Sequence, residues 1–220
     1  MDNDLTTFTA GYNYALNRAD TLGVFYRFSA YHFSGEPQAF GDHSFNLAYG
    51  KKLTGKLALQ LYAGPDFTTS RVVVSNTDSL TYGVNVGANL SYGFQKGTLF
   101  ANYSHGVSGG SGVLTGSTGD QIHFGANHQL SRLWTGQFQM GYSHNAPVAA
   151  GTNSQTYNTW NVGGGASRPF GRNANFSVNY TATIADYGLA TCVGAACSST
   201  EVYHYVTLSF QWHTRPFILP

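Results

Sequence analysis

The chain has 220 residues and a formal net charge of +1, and only 10% of them are charged, against roughly 25% in soluble domains. Too few Lys, Glu, Asp and Arg are present to cover a soluble surface, and the absence of a basic stripe argues against a nucleic-acid partner. No apolar run approaches the ~18 residues of a membrane helix.

Alternation of apolar and polar residues with a period of two predicts strands along most of the chain. In chain order the predicted strands cover 5–16, 22–34, 43–52, 57–69, 79–94, 98–107, 121–131, 134–145, 157–169, 173–186 and 200–213. Short turns such as "FQKG" and "FGRN" alternate with longer Gly-, Ser- and Thr-rich loops at 35–42, 70–78, 108–120, 146–156 and 187–199. No change of composition divides the chain, which predicts a single domain over residues 1–220.

The two faces of these strands differ in a way that decides between fold classes. In "LTYGVNVGANLSYGF" (80–94), Leu80, Val84 and Leu90 share one face while Asn85 and Asn89 share the other. A soluble sandwich would carry charges on its polar face, whereas membrane-spanning strands need about 9–11 residues, apolar towards lipid and polar inside. Because no lipid-facing backbone group can stay unpaired, such a sheet must close. We therefore predict an all-β fold, a transmembrane antiparallel up-and-down β-barrel of about 10–12 strands.

The polar row of each strand is predicted to line the lumen. Its members are Arg27, Gln60, Tyr62, Asp66, Asn85, Asn89, Asn102, His123, Asn127, Gln137, Gln139, Asn179, Tyr203, Tyr205 and Gln211. The opposite row is predicted to face lipid or to form aromatic girdles, represented by Trp134, Trp160, Phe210 and Trp212. Arg27, Asp66 and Asp186 are the few charges expected inside, while nine of the 11 basic residues lie at the short-turn end.

The chain resembles, over its whole length, a Gram-negative outer-membrane β-barrel of the porin-like kind. The hairpin pattern and the terminal strand "VTLSFQWHTRPF" carry this resemblance. It implies an outer-membrane location, contact with outer-membrane lipid, and a signal for the barrel-assembly machinery carried by Phe210 and Trp212. The chain departs from the family pattern because three residues follow Phe217.

The resemblance also implies an even number of strands, whereas eleven are predicted. The chain is therefore expected to be the C-terminal portion of a longer barrel protein. The segment "MDNDLTTF" has neither the basic nor the apolar region of a secretory signal. Together with the composition, this favours a mature or trimmed form of an envelope protein.

Two cysteines and eight histidines raise the question of other chemistry. Cys192 and Cys197, in the last long loop, are predicted to form a disulfide in an oxidising compartment. The histidines lack metal-binding spacing and are interpreted as interfacial or hydrogen-bonded residues. Three are expected on the inward face and five on the outward face: inward His43, His123 and His213; outward His32, His105, His128, His144 and His204.

Two Ser-His neighbours, Ser104–His105 and Ser143–His144, have the composition of a hydrolase pair. Adjacent strand residues point to opposite faces, however, so we expect no enzyme and no cofactor. The predicted function is passive diffusion of small polar solutes through a porin-like channel. The alternative is a non-conducting barrel that displays its long loops for adhesion or envelope structure. The solute and the oligomeric state stay open.

Overall fold

A computed structural model of the chain describes residues 3–33, 38–72, 77–108, 116–148, 156–171, 173–187 and 200–212. The strands are β1 (Asn3–Ala15), β2 (Asp20–Phe33), β3 (Gln38–Lys52), β4 (Leu57–Val72), β5 (Thr77–Phe94), β6 (Gly97–Ser108), β7 (Ser117–Gln129), β8 (Thr135–Pro147), β9 (Tyr157–Phe170), β10 (Ala174–Asp186) and β11 (Thr200–Trp212). They form one sheet in sequence order, and each strand pairs antiparallel with the next. The predicted all-β, up-and-down class is confirmed.

Two strands begin at least four residues earlier than predicted, and this moves Asp42 and Asp120 out of the predicted loops. β3 begins at Gln38 and β7 at Ser117, so Asp42 and Asp120 lie within strands and not in loops. Asp and Gly are depleted in strands, and for this reason both strands were predicted to begin too late. Cross-strand pairing nevertheless continues there, for example between Ser29 and Asp42.

Three of the short turns share one local structure. Asn17, Thr54 and Ser131 each follow a leucine, and the side-chain oxygen of each accepts hydrogen bonds from backbone N–H groups two and three residues later. Such side-chain-to-backbone bonds are the reason that Asn, Thr and Ser favour turns. These turns fix the register of the hairpins β1–β2, β3–β4 and β7–β8.

Burial in this sheet is the reverse of that in a water-soluble protein. The buried polar residues are Ser29, Asp42, Ser44, Asn46, Asp66, Thr68, Asn85, Ser117 and Asn145. On β11, by contrast, Val206, Leu208, Phe210 and Trp212 are all more than 60% exposed. Because exposing so much apolar surface to water is unfavourable, the apolar face is suited to apolar surroundings.

The register makes the strands slant across the sheet. One continuous row of directly paired residues, all apolar or aromatic, runs through Tyr14, Leu22, Tyr49, Leu61, Ala88, Tyr103, Ile122, Tyr142, Trp160, Ile184 and Val202. Tyr14 lies next to the end of β1, whereas Val202 lies near the start of β11. The row therefore climbs by about one residue per strand. With ordinary strand spacings, this corresponds to a tilt of about 30–35°, close to that of closed barrels.

The sheet curls so that its polar face becomes concave. A Cβ added to Gly116, just before β7, would lie 2.6 Å from a ring carbon of Phe40 in β3. Phe40 shares the polar face with Asp42, Ser44 and Asn46 because the four alternate along β3. This contact between distant strands places Phe40, and the face of β3 that carries it, on the inside of the curve.

Candidate functional site

The outward face carries an apolar belt, and one row of directly paired residues crosses the edge of this belt between β5 and β6. On β1–β5 the row is apolar or aromatic and consists of Tyr12, Val24, Leu47, Ala63 and Val86. On β6–β10 it is polar and consists of His105, Asp120, His144, Asn158 and Asp186. On β1–β5 the corresponding polar row lies nearer the loops and contains Asp4, His32, Ala39, Arg71 and Asp78. The height of the apolar belt follows from the polar residues at its two edges. Eleven residues separate Asp20 from His32 along β2, and eleven separate Asp120 from Arg132 along β7 and its turn. This length matches a tilted membrane-spanning strand.

The polar row on β6–β9 is held together by two similar side-chain arrangements. The Tyr103 hydroxyl donates to Asp120 Oδ1 over 2.7 Å, and His105 Nδ1 lies 3.0 Å from the same oxygen. The hydrogen bond from Tyr103 is the main reason that the pKa of Asp120 lies below its usual value, with His105 contributing less. One hairpin later, His144 Nδ1 lies 2.7 Å from Asn158 Oδ1.

Two residues predicted to face inwards lie on the outward face. His43 pairs with Phe28 and Phe67, and its Nδ1 lies 2.7 Å from the Tyr26 hydroxyl. A residue three positions from the inward Asn46 cannot share its face in a regular strand, so the prediction for His43 was wrong. Asp186 pairs with Asn158 in the outward row, and its inward prediction was also wrong.

The short-turn end of the outward face combines aromatic and basic residues. Trp134 directly precedes β8, and the Arg168 guanidinium lies 5.7 Å from the centre of its ring and 5.1 Å from that of Phe170. The Tyr49 hydroxyl donates to Asp20 over 2.6 Å, and this bond, more than the one from Asn17, lowers the pKa of Asp20.

Trp160, Phe210 and Trp212 lie on the outward face as well, each at least 48% exposed. Their contact with lipid stays a prediction, as does the role of Phe210 and Trp212 in barrel assembly.

The register places all fifteen residues predicted to line the lumen on the other face of the sheet. Gln60, Asn89, Asn102 and His123 follow one another in one directly paired row, which therefore presents amides and an imidazole side by side. Nine more uncharged residues of the predicted set lie elsewhere on this face: Tyr62, Asn85, Asn127, Gln137, Gln139, Asn179, Tyr203, Tyr205 and Gln211.

Glycines between the inward polar side chains let these side chains reach across a strand. The Gln137 amide donates to Asn179 Oδ1 across β9, where Gly165 lies between them. A Cβ on Gly165 would come within 2.1 Å of Asn179 Oδ1. Asn161 likewise lies over Gly141. Amide groups can thus approach one another over a backbone that carries no side chain.

Five charged and polar side chains of β2, β3 and β4 lie together on the inward face, and we call them the charged cluster: Arg27, Asp42, Ser44, Asn46 and Asp66. Ser44 on β3 is paired with Arg27 on β2 and with Asp66 on β4, and Asp42 is one step closer to the loops. Asp42 and Ser44 are fully buried, Asp66 is 1% exposed and Asn46 2%.

Sequence reasoning found only part of this cluster. It identified Arg27 and Asp66 as inward residues but assigned Asp42 to the loop at 35–42 and omitted Ser44. The signal was present in the unbroken alternation of Phe40, Asp42, Ser44 and Asn46.

Neighbouring Ser and His side chains of β8 point to opposite faces of the sheet. Ser143 bonds Thr159 on the inward face while His144 bonds Asn158 on the outward face, so the neighbouring Ser and His do not form a catalytic pair. Within the described ranges, no three His, Cys, Asp or Glu side chains are grouped to hold a metal ion. No helix in those ranges has the length and apolarity needed to cross a membrane. Cys192, Cys197 and His213 lie outside the described residues, so their predictions are untested.

No protein-family model and no curated protein matches the chain. Among solved structures, it is similar to a deltaS2 mutant of the TodX monoaromatic hydrocarbon channel, with a TM-score of 0.43 and 10% sequence identity. The similarity covers 97% of this chain and 79% of that chain.

Proposed function

We propose that this chain forms a transmembrane barrel of the bacterial outer membrane whose polar face lines a channel for small polar solutes. The observation that carries the proposal is the inverted burial: polar side chains lie on the concave face and large apolar side chains on the convex one. Short polar side chains and glycines on the concave face leave space for water, and their amides and hydroxyls replace part of a solute's hydration. Lipid against the convex face and the assembly machinery are the expected partners.

The sheet must close for this function, because hydrocarbon does not tolerate unpaired strand edges. β1 and β11 both run towards the short-turn end, so pairing them directly would be parallel in an otherwise antiparallel sheet. We propose that at least one further strand of a longer barrel protein separates them. Efficient crosslinking of Tyr12→Cys to Val206→Cys in the folded protein would contradict this arrangement, because it would require β1 and β11 to be neighbours.

The channel is tested by conductance across a planar bilayer containing the refolded protein. We expect stepwise ohmic currents. The variants Asn102→Cys and Ala101→Cys test whether the current passes along the polar face of the sheet. These neighbours in β6 lie on opposite faces. A positively charged, membrane-impermeant thiol reagent should reduce the current of Asn102→Cys and leave that of Ala101→Cys at the level of the treated parent protein, which carries the native cysteines.

Two outcomes would contradict the proposal. Equal effects on both variants would mean that the current does not follow the polar face. Silence of a protein that is demonstrably folded would favour the non-conducting barrel that displays its loops.

A further inference from the structure

Charges on the inward face are concentrated in one place. Apart from Lys52 and Glu201 at strand ends, the charged residues that the described strands place on this face are Arg27, Asp42 and Asp66. They belong to three adjacent strands and two adjacent rungs. Elsewhere the face consists of amides, hydroxyls, glycines and a few rings, so the charged cluster is its one strong electrostatic feature within the described residues.

Several polar atoms of this cluster lack hydrogen-bond partners. Asp42 Oδ2, Asp66 Oδ1, Ser44 Oγ and both amide atoms of Asn46 are buried and unpaired, and so is Arg27 Nε. The second oxygen of Asp42 accepts a 3.3 Å hydrogen bond from a threonine hydroxyl. Buried polar groups are nearly always paired in folded proteins, so the unpaired oxygens of this cluster are suited to a further hydrogen-bond donor.

The charges of the cluster indicate which chemical group of a ligand it would bind. Two carboxyl groups face one guanidinium, and the Asp42 and Asp66 carboxyls lie close enough to interact directly. Among the described residues, no ion pair within 4.0 Å joins Arg27 to either carboxyl. The excess negative charge favours a cation, and unpaired acceptor oxygens favour one that donates hydrogen bonds. An ammonium group meets both requirements.

Aromatic rings lie on both sides of the cluster. Towards the loops, Tyr31 stacks on Phe40 with ring centres 4.4 Å apart, and towards the turns, Phe25 meets Tyr62 edge to face at 6.0 Å. Such rings limit the access of water, which strengthens electrostatic interactions between them. Aromatic faces also attract cations.

We infer that the charged cluster is a lumenal site for the ammonium group of a small solute, and that it makes the channel prefer cations over anions. The inference rests on the proposed function. A unit charge about 6 Å from the path of an ion changes the local ion concentration about threefold even at the dielectric constant of water. The preference for potassium over chloride should therefore fall about threefold or more when both carboxylates are neutralised.

The test measures reversal potentials in a potassium chloride gradient across a planar bilayer. Asp42→Asn combined with Asp66→Asn keeps the side-chain shape and should lower the preference for potassium about threefold or more. Arg27→Gln should shift it in the opposite direction, which gives a second readout if the double variant folds poorly. Asp4→Asn removes the same kind of charge from the outward face of β1 and should leave the reversal potential unchanged.

A second measurement addresses the solute itself. Vesicle swelling compares uptake of ethanolammonium with uptake of glycerol, which is similar in size and uncharged. The unmodified channel should favour ethanolammonium, and the double variant should not.

The outcomes separate the two proposals. If the folded, unmodified protein conducts no current, the proposed channel fails. If it conducts with the same selectivity in all variants, the channel stands and the ammonium site is wrong.

Discussion

The orientation of the sheet can be tested by placing the same charge on its two faces at the same height. Ala126 and Asn127 are neighbours in the middle of β7, and their register partners place Ala126 outward and Asn127 inward. Ala126→Arg would put a guanidinium among lipid chains if the outward face meets the membrane. Asn127→Arg would put it in the lumen.

The expected magnitude follows from the depth of Ala126. It lies six residues from Asp120 and six from Arg132, and at about 2.8 Å of height per tilted residue it is about 17 Å from each. That is close to the middle of a hydrocarbon layer about 30 Å thick. A basic residue at the midplane of a barrel costs about 2–4 kcal/mol, against about 0–1 kcal/mol near the interface.

The assay is urea unfolding of the protein in lipid vesicles, followed by tryptophan fluorescence. Ala126→Arg should lower the free energy of unfolding by about 2–4 kcal/mol, and Thr118→Arg, which faces outward beyond Asp120, by less than about 1 kcal/mol. Asn127→Arg should cost little because its charge stays hydrated. If Asn127→Arg costs as much as Ala126→Arg, the assignment of the two faces is refuted.

Two further predictions concern single contacts. Gly165→Ala would bring a Cβ within 2.1 Å of Asn179 Oδ1 and 2.6 Å of a backbone carbonyl oxygen of β10, so unfolding in urea should show a loss of about 1–3 kcal/mol. Gly164→Ala has no atom nearer than 3.5 Å and should stay within about 0.5 kcal/mol of the parent; equal losses would mean that the close approach to β10 is not the cause. Tyr103→Phe should raise the pKa of Asp120, measured by carbon NMR of the carboxyl group in micelles. The depressed pKa contributes stability above the unfolded value of 3.8, and this is lost as the pH falls through the folded pKa, so the acid-side loss should be smaller in the variant. An unchanged titration midpoint would show that the hydroxyl does not set this pKa.

The fold could be predicted from sequence because every strand repeats the same period-two signal. Alternation predicted eleven strands and the inward row, since each side chain of a strand must face one of only two sides. Strand ends near the loops were less predictable. Gly41 and Asp42 are typical of loops, yet pairing with β2 and β4 keeps them in β3. Tertiary pairing outweighs residue preference there.

The sequence predicted that Arg27 and Asp66 face inwards, but not that they lie close together. Arg27 and Asp66 are 39 positions apart in sequence, and nothing local shows that Ser44 lies between them. Their proximity depends on the register of two hairpins, to which the turns at Asn17 and Thr54 contribute. Sequence reasoning consequently described a face without strong charge, whereas the structure gathers its charges into one cluster.

The inverted burial also explains why this cluster is informative about function. In a soluble protein, buried residues are chosen mainly for packing, so a buried side chain says little about ligands. Here apolar contacts lie on the convex face, and inward side chains contribute less to stability through the hydrophobic effect. Three charges grouped with unpaired oxygens such as Ser44 Oγ add an unfavourable desolvation energy. The hydrophobic effect therefore does not account for the grouping of Arg27, Asp42 and Asp66, whereas the ammonium site that we propose would use it.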